Sequence, residues 1–207
     1  RTHPTESAYL AYFGIASPTY YGIKARQIFG FHGIDWTSSS PILAFSGANP
    51  RRDDPIISTF LREHPEYDPD LLSGAMIDGK NGAVLVKRPA ALRLAGGTYL
   101  ISATLLYPIY FKSASGIWSE THESTYQKLR EMVRPLLVDD DATRAAALPS
   151  QTVSGWAKIF YDFEQFRFAR LSAYLRNRIP DGNINFSILV YRLSDREVEQ
   201  ALSGPPP

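Results

Sequence analysis

Four hydroxyl side chains stand in a row at Thr37, Ser38, Ser39 and Ser40, after a Gly-x-x-Gly at Gly30 to Gly33 and ahead of a short apolar run ending at Phe45. Hydroxyls clustered in this way either cap a turn or a helix start, or hold the hydroxyls of a ligand. The glycines lack the following lysine of a phosphate loop, so that type of nucleotide cradle is not indicated. His3, His32, His64 and His122 show no H-x-x-x-H pairing, and no G-x-S-x-G elbow is present. Asp139, Asp140 and Asp141 are adjacent, so their side chains point apart and no metal is expected there. They suit a helix start, where carboxylates meet the positive end of the dipole.

The elements that must position these groups are legible in part. Asp54-Pro55 and the apolar residues Ile56, Phe60 and Leu61 predict a short helix. Asp78-Gly79 and Asn81-Gly82 are turn signals ahead of a β-branched run. In "LRLAGGTYLISATLLYPIYF" the residues Tyr99, Ile101, Ala103, Leu105 and Tyr107 alternate onto one face, which predicts a central strand. Tyr126, Leu129, Met132 and Val133 make one stripe of a helix over 119–133. The aromatic segment 156–178 reads as strand-like, with a helix as the alternative over 163–175, and Asp181-Gly182 as the turn of a closing hairpin. Ser194 and Glu197 have capping-box spacing, with Gly204 past the helix end.

Composition narrows the class. The 207 residues are 44% apolar and 21% charged, as in a folded domain with a core of its own. A formal charge of +1 gives no field to steer the chain to nucleic acid, and none is expected as a partner. The absence of cysteine excludes disulfides, thiolate zinc sites and a cysteine nucleophile. No apolar run reaches the roughly 18–20 residues of a membrane-spanning helix. The expected fold is α+β: twisted, mainly antiparallel β-sheets forming a split sandwich with flanking helices, one domain over 1–204 and a proline tail at 205–207.

Read together, four stretches resemble ADP-ribosyltransferases. "FGFHGIDWTSSSPILAF" is similar to their glycine turn and Ser/Thr-Ser strand end, "RTHPTESAYLAYFGI" to their first strand, "GGTYLISATLLYPIY" to their central strand, and "SAYLRNRIPDGNINFSILVYR" to their closing hairpin. The resemblance implies NAD as a substrate, contacted by Arg1 or His3, with Thr37, Ser38 and Ser39 ordering the ribose and Tyr20 or Tyr21 stacking on nicotinamide. The catalytic glutamate of that family falls at Ala173, between Ser172 and Tyr174, which implies an inactivated site unless Glu164 serves from another register. It further implies a protein acceptor of ADP-ribose and a secreted or translocated toxin or effector.

Two other classes fit the same residues. The Gly-x-Tyr strand, the late paired strands and the many Pro, Tyr and Phe resemble jelly-roll sandwiches of structural or assembly proteins, such as capsids or trimeric ligands. The aromatic content also suits a binding module without catalysis.

Overall fold

The computed structural model describes residues 7–13, 25–31, 42–45, 72–78, 82–87, 93–107, 111, 113–138 and 140–207. Within them the chain is α+β: strands β1 (Ala8–Phe13), β2 (Arg26–Phe31), β3 (Ile42–Phe45), β4 (Leu72–Asp78), β5 (Gly82–Lys87) and β6 (Gly97–Ser102) precede helices α1 (Glu120–Val133), α2 (Asp141–Ala147) and α3 (Val153–Arg176). Strands β7 (Gly182–Ile184) and β8 (Ile188–Leu193) and helix α4 (Asp195–Ser203) close the chain. The chain divides into two compact units: Arg1–Ser39, Leu94–Gln127 and Asp162–Pro207 form the first, and Ser40–Arg93 and Lys128–Tyr161 the second.

The first unit holds a five-stranded sheet in the order β2-β1-β6-β8-β7. Strand β1 runs parallel to both β2 and β6, whereas β6–β8 and β8–β7 are antiparallel, so this sheet is mixed. Side-chain alternation marks a strand but carries no information on the direction of its neighbours, and parallel pairs need crossovers that turn signals do not announce. The central position expected for β6 is found, with Tyr99 and Ile101 fully buried. The strand stops at Ser102, however, and Ala103–Leu106 is a 3₁₀ turn, so Ala103, Leu105 and Tyr107 leave the face that strict alternation assigns them. The Ser102 hydroxyl accepts the Phe13 N–H at 3.1 Å, closing the ends of β1 and β6 together. At the other end Gly97, with φ +155°, lets Ser7 approach where a Cβ would collide with its carbonyl.

Residues 153–176 form one helix, which corrects the strand-like reading of this aromatic segment and agrees with the helical alternative over 163–175. Every residue from Phe163 to Ala173 is buried. A helix enclosed on all sides has no polar face, so its 3.6-residue period is muted and its aromatics imitate a strand. The closing hairpin also differs from expectation. Asp181 lies in the ladder, its N–H donating to the Val190 carbonyl at 2.8 Å and its carboxylate accepting the Arg192 N–H at 2.8 Å. The chain reverses instead at Asn185, Phe186 and Ser187, with the Ser187 N–H donating to the Ile184 carbonyl at 3.1 Å.

The C-terminal helix follows its sequence signals. Ser194 and Glu197 form the reciprocal capping box, and the Gly204 N–H bonds the Gln200 carbonyl. Its far end is held by Arg170, whose side chain is fully buried. That guanidinium donates to Glu123 at 2.9 Å and to the carbonyls of Ala201, Gly204 and Pro205, while the Tyr126 hydroxyl donates to the Leu202 carbonyl at 3.1 Å. Carbonyls at and just beyond the helix end thus receive donors, from the Arg170 charge and from the neutral Tyr126 phenol.

In the second unit β3, β5 and β4 form an antiparallel sheet, and the two strands flanking the Asp78 to Gly82 turn signals pair as a hairpin. Asp140 caps α2, accepting from the Ala142 and Thr143 N–H groups, as the acidic triplet suggested. Val133, Leu136, Trp156 and Phe160 are buried, and the Trp156 indole donates to the Leu148 carbonyl at 2.8 Å. The helix predicted after Asp54-Pro55 lies outside the described residues.

Candidate functional site

One register of the five-stranded sheet carries a row of large polar side chains. Arg26 on β2 is the partner of Tyr9 on β1, Tyr9 of Tyr99 on β6, and Tyr99 of Tyr191 on β8. The rings of Tyr9 and Tyr99 stack with centroids 4.5 Å apart and planes 20° from parallel. The Arg26 guanidinium lies 5.7 Å from the Tyr9 centroid, within cation–π range. Both ring hydroxyls are fixed by one residue: Tyr99 donates to the Ala95 carbonyl at 2.7 Å, and Tyr9 accepts the Ala95 N–H at 3.1 Å. Directly opposed aromatic pairs of this kind stabilise a sheet by roughly 0.5–1.5 kcal/mol beyond their burial.

Helix α3 brings the complementary charges. Glu164 accepts from Arg167 at 2.6 Å, an i,i+3 pair whose side chains are 10% and 9% exposed. Arg167 also lies 5.3 Å from the Phe163 ring centroid. Burial lowers the Arg26 guanidinium from its ordinary value and the Arg167 charge adds to this, while Tyr9, Glu164 and Tyr99 oppose it. Burial likewise raises the Tyr99 phenol, keeping it neutral. The cluster is therefore one electrostatic unit: two guanidiniums, one carboxylate and two phenols, contributed by β1, β2, β6 and α3. Guanidiniums suit phosphate oxygens, the carboxylate suits ribose hydroxyls or a developing positive charge, and the rings suit a flat heterocycle.

Of the site residues expected from the sequence, Arg1, His3, Tyr20, Tyr21, Thr37, Ser38 and Ser39 lie outside the described residues. Glu164 stands inside the cluster. Ala173 is on α3 rather than on a hairpin strand, 3% exposed, and its carbonyl accepts the Asn177 side-chain amide at 3.5 Å. Tyr9, Arg26, Tyr99 and Arg167 were not singled out by sequence reasoning. A faint signal existed in "FEQFRFAR", where Glu164, Arg167 and Arg170 recur every three residues within an apolar stretch. Charges spaced so regularly among aromatics are those that a buried helix must pair.

Among the described residues no group of three or more His, Cys, Asp or Glu could hold a metal ion, and no helix is long and apolar enough to cross a membrane. Comparison with protein-family models, with curated proteins and with solved structures finds no match for the chain.

Proposed function

We propose that the chain is an NAD-binding domain of the mono-ADP-ribosyltransferase type, as carried by toxins or effectors, with Glu164 as its acid. The observation that supports this reading most is the Glu164–Arg167 pair at 2.6 Å beside Arg26 and the stacked Tyr9 and Tyr99. The reaction breaks the bond between nicotinamide and ribose C1′ and forms one from C1′ to an acceptor side chain, which loses its proton. Positive charge builds on the sugar as nicotinamide leaves, and a carboxylate fixed before the reaction stabilises it without reorganising. In this reading Arg26 and Arg167 hold the pyrophosphate, Thr37, Ser38 and Ser39 order the ribose, Tyr20 or Tyr21 stacks on the ring, and Arg1 or His3 contacts the dinucleotide. The split pair of mainly antiparallel sheets and a protein acceptor belong to the same reading.

The position of Ala173 is a poor place for the acid, because a glutamate there would bring an unpaired charge into the buried stretch of α3. The test is calorimetric binding of NAD together with nicotinamide release. Both are expected for the chain as it stands, with release falling at least about tenfold in Glu164→Gln while folding persists. Neither binding nor release in the unaltered chain would reduce the cluster to a structural ion pair.

A further inference from the structure

The tip of the β7–β8 hairpin inverts the usual logic of folding. Asn185 and Phe186 have φ of +48° and +57°, and with the Ser187 N–H on the Ile184 carbonyl they make a type I′ turn. Asn suits the first of these positions, but the second normally holds glycine, because a side chain in this conformation costs about 1–2 kcal/mol. Here it holds phenylalanine; the Phe186 N–H donates to the Asn183 side chain at 3.4 Å, but the ring is 89% exposed, so packing of the ring itself does little to offset the strain. From Gly182 to Tyr191 no residue is charged, and Ile184 beside the tip is 47% exposed. A strained, uncharged aromatic tip, its turn tied by Asn183 accepting the Phe186 N–H at 3.4 Å and the Ser187 hydroxyl donating to the Ile184 carbonyl at 3.3 Å, has neither the cations that hold nucleic acid or an anionic membrane nor the continuous apolar surface that enters lipid. It fits a pocket with an apolar wall and a polar rim.

The same unit carries such a pocket. A recess of about 630 Å³ is lined by Tyr174, Asn177, Arg178, Ile179 and Pro207. Its guanidinium is fixed in advance: Arg178 is bonded to Glu197, to Asp181 at 3.4 Å and to the Arg192 carbonyl at 2.9 Å. Burial alone would lower this arginine, but the hydrogen bond and charge of Glu197 raise it. Ile179, 87% exposed, forms an apolar lip. A held guanidinium, a phenol ring and an aliphatic lip are the surroundings that take a phenyl ring face-on to a cation.

We propose that the occupant is a second copy of this chain: Phe186 of each copy enters the Tyr174–Arg178–Ile179 pocket of the other, in a closed two-fold pair. One ring and one isoleucine per side bury far less than the roughly 800 Å² per partner of a stable complex, so the pair is weak and forms only as concentration rises. Pre-organisation of both the turn and the guanidinium is what lets so small a contact form.

The experiment is sedimentation equilibrium of the whole chain over a wide concentration range. The weight-average mass is expected to climb from that of one chain towards that of two. Phe186→Gly relaxes the turn, so it leaves folding intact, and is expected to weaken association at least about tenfold, as loss of an aromatic anchor does. Ile179→Asp, at an exposed position, should weaken it similarly. A chain that stays at single-chain mass throughout overturns the proposal, as does association unchanged by Phe186→Gly. Loss with Phe186→Gly but not with Ile179→Asp overturns the assignment of the pocket.

Discussion

The two sides of the five-stranded sheet break the burial rule in opposite directions. Towards the β2 edge, Arg26, Glu164 and Arg167 are drawn in against Tyr9 and Tyr99; at the β7 edge, Phe186 is held out in water. Scattered exposed apolar residues need no explanation, but a buried charge and a strained exposed ring do. On the charged side Glu164 accepts from Arg167, Arg167 lies over the Phe163 ring and Arg26 over the Tyr9 ring. On the apolar side the turn is tied by its own hydrogen bonds, but the exposure of the Phe186 ring is not explained by them. In the readings proposed above a ligand is an addition to the first region and the use of the second, and experiments that disturb each should fail in different ways.

The largest effect is expected at the buried arginine nearest the C-terminus. Arg170→Ala removes donors from Glu123 and from the carbonyls of Ala201, Gly204 and Pro205 at once. Breaking one partner of a buried ionic group costs about 3–5 kcal/mol. A denaturant midpoint measured against the unaltered chain reads this loss. A cost no larger than that of an exposed substitution would mean that the buried charges do not hold this unit together.

Next is the pair at the candidate site. Glu164→Gln is expected to destabilise by about 1–3 kcal/mol by removing the buried charge that accepts from Arg167 at 2.6 Å and that favours the charged form of Arg26. Replacing both partners, Glu164→Leu with Arg167→Met, should recover most of that loss, since a buried ion pair is often matched by apolar residues of similar size. Stability and NAD binding then separate: the double variant is expected to fold and not to bind. If it folds and binds NAD unchanged, the pair belongs to the core and not to a site.

These contrasts also explain what the sequence could reveal. The capping box at Ser194 and Glu197, the Asp140 cap and the strand through Tyr99 were legible because their causes lie within a few residues. Helix α3 was legible only as an alternative over 163–175, because burial on every side there removes the polar face that makes a helix visible. The expected hairpin about Asp181-Gly182 is not the one formed: its first arm is helix α3, and the hairpin present, β7–β8, falls within the run read as its second arm and reverses at Asn185-Phe186, which has no glycine. The polar cluster was hidden for a different reason. Its members come from β1, β2, β6 and α3, joined by parallel pairings, and no local pattern relates Arg26 to Glu164.

A smaller effect is expected from acid. Burial alone would raise Glu123, but hydrogen bonds from Arg170, Gln127 and Trp118 outweigh it and hold the carboxyl below its ordinary value. The backbone N–H and hydroxyl of Ser194, aided by Arg178, do the same for Glu197. A carboxyl lowered in the folded state contributes stability that is present above its unfolded value, near pH 4.3, and is lost as pH falls through the folded one. Both groups anchor α4, one at each end. Thermal melts should therefore be level near neutrality and fall below about pH 4, with Glu123→Gln and Glu197→Gln each flattening the decline.

The smallest effect has the opposite sign. At Phe186 the φ of +57° strains any residue with a Cβ, and the 89% exposed ring has little packing to lose. Phe186→Gly therefore relieves backbone strain, partly offset by glycine's greater freedom in the unfolded chain, for a net gain of about 0.5–1 kcal/mol. Asn185→Ala loses the side chain that tolerates this conformation and should cost a similar amount. Differential scanning calorimetry at a concentration where the chain is monomeric reads both, free of association. A higher midpoint for Phe186→Gly would show that the natural residue opposes folding, which places its use outside the single chain. An unchanged or lower midpoint would mean that the turn accepts phenylalanine without strain, and the two sides of the sheet would then no longer differ in kind.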